Sequence, residues 1–145
     1  MSESAARGEP LRMLPPLAPP SEFFWTSGRD GRLRILRCAA CRQYVHPPAP
    51  VCSACRSRDL APEAVSGRGR VFSFTVNHQR WVPSDPAEAY VVAIVELPEQ
   101  PALRLITNLV GCAAQAARIG MLVEAVFEQR GEVWIPLFRP AGGAA

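Results

Sequence analysis

The sequence predicts a mainly β chain in which a short N-terminal helix leads into a metal-holding ribbon and then into a small five-stranded barrel. Three observations carry this. Two Cys-x-x-Cys pairs, Cys38/Cys41 and Cys52/Cys55, stand ten residues apart. Five short runs with strand patterning follow residue 66, separated by turn residues. Ahead of the cysteines, Pro19-Pro20-Ser21 opens a short aromatic segment.

Residues 1–20 hold five prolines and few periodic apolar positions, so they are expected to form a flexible arm. Ser21 after two prolines reads as a helix N-cap. The helix is expected over 21–29, within an N-terminal unit 21–31, and to stop at Gly28 or Gly31. So short a helix needs tertiary or intersubunit packing to hold it. Phe23, Phe24 and Trp25 are consecutive and point around more than one face. Either they cover the rest of their own chain or part of that surface docks a partner. Arg32–Arg37 then reads as a strand leading into the cysteines.

The ribbon unit spans 32–65. Each Cys-x-x-Cys lets a tight turn aim two sulfurs at one point, and two such knuckles complete a tetrahedral set for one ion. Cys38, Cys41, Cys52 and Cys55 are therefore the predicted metal ligands, zinc being the natural choice, while an iron site of the same four thiolates remains open. Disulfides would leave a fifth cysteine, Cys112, over, and they suit an oxidising compartment. A redox-active pair does not explain two equally spaced copies. Four thiolates leave no position for water, so the expected role of the metal is structural. Cys112 reads as a small buried hydrophobe.

The barrel unit spans 66–140, before a flexible tail at 141–145. Ser66-Gly67-Arg68-Gly69 reads as a turn. Arg70–His78 alternates, with Val71, Ser73, Thr75 and Asn77 on one face and Phe72, Phe74, Val76 and His78 on the other. A loop at Gln79–Glu88 follows. Ala89–Leu97 and Ala102–Val110 are apolar strands around a Pro98–Pro101 turn. A small-residue connection at Gly111–Gly120 carries one helical turn near Ala113–Arg118. Met121–Gln129 places Met121, Val123, Ala125 and Phe127 on one side, and Glu132–Phe138 closes the set. Five strands with a short helical link between the third and fourth match the OB-fold layout.

Composition narrows function. The net charge is +3, and all 16 basic residues are arginine. That mild excess, with 8% aromatic residues mostly needed for the core, argues against a nucleic-acid-binding module, although ribbons and OB-folds both serve that role. No apolar run is long enough to span a bilayer and no secretory leader is visible, so a cytoplasmic protein is expected. His46 and His78 have no nucleophile in a known motif frame, and no phosphate loop or nucleophile elbow is present. No independent catalytic residues are predicted.

Several segments together resemble the domain-of-unknown-function thirty-five family of zinc ribbon plus OB-fold proteins. They are Phe24-Trp25 before Gly31-Arg32-Leu33; the double Cys-x-x-Cys around His46-Pro47-Pro48; Ser66 through Thr75; Thr107-Asn108-Leu109-Val110; Ile119-Gly120-Met121; and Pro136 through Pro140. One departure is Arg42, where that family often has glycine. The resemblance implies a rubredoxin-like ribbon and a non-catalytic partner of thiolase-like enzymes, thiolases or aldolases, in a hetero-oligomer. It implies acyl-CoA as ligand, with steroid or lipid side-chain metabolism among the settings. Such a ligand needs arginine for phosphate and an apolar or aromatic groove for its arm. The candidates are Arg34, Arg37, Arg68, Arg70 and Arg80, with Phe72 and Trp81. Phe23, Phe24 and Trp25 are the candidate partner contacts.

Overall fold

The computed structural model describes residues 13–81 and 88–142. The expected arm at 1–20, the loop at 79–88 and the tail at 141–145 therefore lie partly outside the described residues. Helix α1 (Glu22–Thr26) continues into a 3-10 turn, Ser27–Asp30, and Gly31 closes it in the left-handed region at φ 78°. Ser21 occupies the N-cap position, but its hydroxyl bonds back to the Ala18 carbonyl and caps no helical amide.

Strands β1 (Arg34–Cys38), β2 (Tyr44–Val45) and β3 (Leu60–Ala64) form an antiparallel sheet in the order β2-β1-β3. Strand β3 has no apolar period and contains Pro62, so nothing in its pattern predicts it. As an edge strand it can accommodate a proline, whose missing N–H costs the ladder nothing there.

Strands β4 (Arg68–Asn77), β5 (Tyr90–Glu96), β6 (Arg104–Leu109), β7 (Leu122–Arg130) and β8 (Val133–Pro140) close a barrel in the order β4-β5-β6-β8-β7. The expected five-stranded OB-fold is thus present, with a 3-10 turn at Ala114–Ala116 between β6 and β7. Val71, Val91, Ala93, Val95, Leu105, Val123 and Phe138 fill its core. The seam between β6 and β8 is narrow. It consists of one parallel register pair, Leu109 with Phe138, the Val110 N–H donating to the Phe138 carbonyl at 2.8 Å, and Thr107 Oγ1 donating to the Pro136 carbonyl at 3.0 Å.

One expected face assignment changes. A register shift between Val71 and Ser73 places a β-bulge at Phe72. The extra residue swaps faces, so Val71 packs in the same core as Phe74 and Val76, while Phe72 points out. His78 is exposed beyond the end of β4, not on the apolar face. On β7 the expected face holds: Val123 is buried, and Met121, Ala125 and Phe127 pack against the core. Cys112 is half-buried against that core.

Several contacts among the described residues join the two sheets, and Ile35 of β1 lies in the barrel core cluster. Phe23 packs against both apolar clusters. The 3-10 turn presses on the β7–β8 hairpin, where a Cβ on Gly28 would overlap the Phe127 ring and sit 2.9 Å from the Trp134 Cβ. The β5–β6 turn reaches back to the ribbon. There the Tyr44 N–H donates to Gln100 Oε1 at 2.8 Å, and Gln100 Nε2 donates to the Tyr44 carbonyl at 3.3 Å. A glutamine amide has the shape of a peptide group, so Gln100 covers the open edge of β2 as a neighbouring strand would. Beside it, Glu99 accepts from the Ser66 N–H at 2.8 Å.

Candidate metal centre and ligand face

Each knuckle is a tight turn closed by two backbone bonds. The Cys38 N–H donates to the Gln43 carbonyl and the Cys52 N–H to the Ser57 carbonyl, both at 2.9 Å. The Arg42 N–H donates to the Cys38 carbonyl and the Arg56 N–H to the Cys52 carbonyl, both at 2.9 Å. Arg42 and Arg56 lie in the left-handed region, φ 66° and 65°, which explains why glycine suits this position. Arginine is accommodated there without displacing a ligand.

The four sulfurs lie within 4.8 Å of one another. Cys38 and Cys55 approach to 3.5 Å and Cys41 and Cys52 to 3.6 Å. A zinc tetrathiolate with bonds near 2.3 Å has sulfur–sulfur edges of roughly 3.8 Å, so the set fits one tetrahedral ion. The backbone favours negative sulfur. The amide of Cys41, with that of Ala40, holds the Cys38 thiol down to about 6, and the amides of Cys55 and Ala54 lower Cys52. Gln43 offers Cys41 an amide as well, yet burial and the three neighbouring sulfurs push that thiol up to about 12. Four sulfurs this close cannot all be anionic without a cation among them. Cys38, Cys41, Cys52 and Cys55 are therefore positioned to bind a metal.

The other candidates fall into three groups. Arg34 and Arg37 are occupied within the chain. Arg34 forms a two-pronged pair with Asp30 at 2.9 and 2.6 Å and holds that carboxyl down to about 2. Arg37 bonds Glu63 at 2.7 Å and the Arg42 carbonyl at 2.8 Å, and stacks 4.4 Å from the Tyr44 ring centre. Arg34 thus ties β1 to the 3-10 turn and Arg37 ties β1 to β3, so each guanidinium already has acidic and carbonyl partners within the chain.

Arg68, Arg70 and Phe72 come together on the outer surface of β4. Arg68 and Arg70 line a cleft of about 210 Å³ with Leu97, Pro98 and Leu122. Phe72 is 45% exposed, and the Arg104 guanidinium lies 3.7 Å from its ring centre while pairing with Glu96 at 2.8 Å. Arg104 was legible in principle, because buried Leu103 and Leu105 on either side force it outward. Arg80 and Trp81 lie beyond the opposite end of β4, which at about 3.3 Å per residue puts Asn77 roughly 23 Å from Arg70. Trp81 is 75% exposed and its indole N–H donates to Asn77.

Of the aromatic triplet, Phe24 is a core residue, packed edge-on to Trp25 and 5.0 Å from the His46 ring. It is 7% exposed and reaches the surface only where it lines the cleft beside Trp25. Trp25 keeps an open edge over a cleft of about 300 Å³ at the β6–β8 seam, shared with Val92, Ile106, Ile135 and Leu137. Ile106 is 74% exposed there. Among the described residues no helix is long and apolar enough to cross a membrane.

The architecture defines a class: a four-cysteine zinc ribbon joined to a closed OB barrel through an aromatic helix. Comparison with known proteins gives the family. Residues 25–61 match the family described as "ChsH2, rubredoxin-like zinc ribbon domain", and residues 62–128 match "ChsH2, C-terminal OB-fold domain". A solved chain from "Ltp2-ChsH2(DUF35) aldolase" superposes with a TM-score of 0.79 at 40% identity, covering 88% of this chain and 99% of that one. The chain belongs to the DUF35 family. A "Probable enoyl-CoA hydratase alpha subunit" of Thermomonospora curvata is 42% identical over 134 residues, 90% of this chain and 40% of the relative. The "3-oxo-4,17-pregnadiene-20-carboxyl-CoA hydratase alpha subunit" of Mycobacterium tuberculosis is 36% identical over 115 residues, 79% of this chain and 36% of that protein. The chain thus spans well under half the length of these two curated relatives.

Proposed function

We propose that this chain is a non-catalytic accessory subunit of a thiolase-like enzyme, an aldolase or a thiolase, and that it helps hold an acyl-CoA thioester. The observation that carries this reading is the 40% identity across nearly the whole of a chain from an aldolase named as a two-component assembly. The two curated relatives are named for CoA-dependent hydratases, and one name includes a pregnadiene carboxyl-CoA, so steroid or lipid side-chain metabolism in the cytoplasm is the proposed setting.

Zinc is the proposed ion, and when bound it supplies folding energy only, since four thiolates fill its tetrahedron. The ligand face we assign is Arg68, Arg70 and Phe72, joined by Arg104. Guanidinium groups suit phosphate oxygens, and an exposed ring beside an apolar cleft suits a planar base or an acyl arm. Arg80 and Trp81 would contact a more distant part of the same ligand or the partner. Trp25 and Phe23 present the remaining aromatic surface for docking.

The test is co-expression with a thiolase-like protein encoded beside it, followed by size exclusion and a CoA-ester assay of the pair and of each member alone. The expected result is a stable complex whose activity exceeds that of the large subunit alone. No association, no change in activity, and steeply salt-dependent DNA binding by the chain alone would replace this reading with a nucleic-acid module.

A further inference from the structure

The four cysteines are not equivalent. Cys38 and Cys52 are 0% and 1% exposed. Cys41 is half-buried and packs against the cluster of Leu36, Val45 and the two buried cysteines. Cys55 is exposed and stands outside that cluster, with Ser53, Ala54 and Arg56 around it in sequence exposed as well. An oxidant needs open space in line with a sulfur lone pair. Only Cys55 offers a wide approach.

We infer that Cys55 is the ligand through which a hydroperoxide enters the metal centre, and that the disulfide formed joins it to Cys38 across the two knuckles. The inference rests on the ribbon holding zinc. In the first step the Cys55 thiolate attacks the outer peroxide oxygen. The O–O bond breaks, a sulfenic acid forms on Cys55, and hydroxide or alkoxide leaves. In the second step a neighbouring thiolate attacks the sulfenic sulfur, the S–O bond breaks and hydroxide leaves. Two sulfurs are thereby oxidised by two electrons and the peroxide is reduced by two, with both departing oxyanions taking protons from water. Cys38, 3.5 Å from Cys55, is the sulfur in place to do this, and Cys41 and Cys52 at 3.6 Å are the pair left behind. An ion reduced to two ligands is lost, and the ribbon loses the staple under its apolar cluster. The chain then carries an oxidant-sensitive site for metal release.

The positions of arginine make the test direct. Trypsin cuts after Arg37, Arg42 and Arg56, so Cys38 and Cys41 share one peptide, 38–42, and Cys52 and Cys55 another, 43–56. A cross-knuckle disulfide ties the two peptides together, while a disulfide within a knuckle stays inside one. Cys112 falls in a separate peptide, 105–118. The full chain, its zinc content first measured by elemental analysis, is treated with hydrogen peroxide while a chromophoric chelator follows zinc release. Samples are quenched with iodoacetamide, and a parallel series contains dimedone to trap sulfenic acid. The expected result is loss of bound zinc, a dimedone adduct on Cys55 and an early Cys38–Cys55 link as the main product, with Cys41 and Cys52 still alkylatable. A disulfide within a knuckle, first modification at Cys38, Cys41 or Cys52, or zinc retained with all sulfurs intact under excess peroxide would each overturn the inference. Protein grown in zinc that carries no metal would instead overturn the metal assignment itself.

Discussion

Replacing Gln100 with alanine tests whether the ribbon and barrel are held as one body. The side chain bonds both the N–H and the carbonyl of Tyr44, at 2.8 and 3.3 Å, across 56 positions of sequence. A net hydrogen bond is worth about 1 kcal/mol, and a half-buried amide left without a partner costs more than one that finds water. The longer bond contributes less than the shorter, so the expected loss is about 2 kcal/mol. Gln100→Glu is the informative second variant, because it keeps an acceptor for the Tyr44 N–H but removes the donor for its carbonyl. It should lose at least half as much, about 1 kcal/mol, at a pH where the new carboxyl is ionised and can only accept. Denaturant unfolding gives the total, and amide hydrogen exchange at Tyr44 reports the bond itself. In Gln100→Ala that amide should exchange much faster, while amides in the middle of β5 change only with global stability. Unchanged exchange at Tyr44, or a loss below about 0.5 kcal/mol, would refute the reasoning that this side chain acts as a strand edge.

Four further outcomes follow from the packing. Stripping the metal with a strong chelator should remove on the order of 10 kcal/mol from the ribbon and melt β1–β3 first, read as lost chemical-shift dispersion there while barrel resonances persist. Gly69 faces inward, where a Cβ would overlap Val95 and lie 3.1 Å from the Glu96 carbonyl, so Gly69→Ala should cost about 1–3 kcal/mol in chemical denaturation. Arg42 sits at φ 66° and its ion pair with Glu63 is long, 3.4 Å, and exposed. Arg42→Gly should therefore leave metal affinity intact and raise stability by about 0.5 kcal/mol, a left-handed strain relieved against glycine's extra chain entropy. Burial lowers the His46 pKa, and its Nδ1 has no hydrogen-bond partner. The unfolded chain takes up that proton first, so stability falls as pH drops below about 6.5. The acid sensitivity of the denaturation midpoint should be smaller in His46→Leu than in the parent chain.

The metal centre was legible because ligand spacing is a local property: two turns of the same kind, each carrying two sulfurs, can be read without knowing what surrounds them. The barrel was legible through alternation, which directly encodes burial on one face. Alternation failed at Phe72, where one inserted residue reverses the faces with no change of composition. It also failed at β3, where Leu60–Ala64 forms a strand because β1 offers an edge, not because its residues prefer extension. Gln100 read as a turn residue, since nothing nearby in sequence reveals that Tyr44 waits across the interface. Arg34 and Arg37 looked like ligand donors for a related reason. Of their acidic partners, Asp30 stands 4 residues away in the turn, while Glu63, 26 residues away, is brought to Arg37 only by the β1–β3 pairing.

The β6–β8 seam has a mechanical consequence. Elsewhere around the barrel, neighbouring strands share runs of paired residues, but here a single register pair and one threonine hydroxyl complete the ring. Pro136 has no N–H to give, so β8 can offer β6 only its carbonyl at that level. The ring therefore has a built-in hinge line, and Trp25 lies across the cleft beside it. Thermal breathing should concentrate there, with the remaining four strand junctions moving as a curved sheet. A surface that presses on Trp25 and Ile106 would also splint that hinge, so stiffening of the barrel and occupation of its aromatic cleft become the same event.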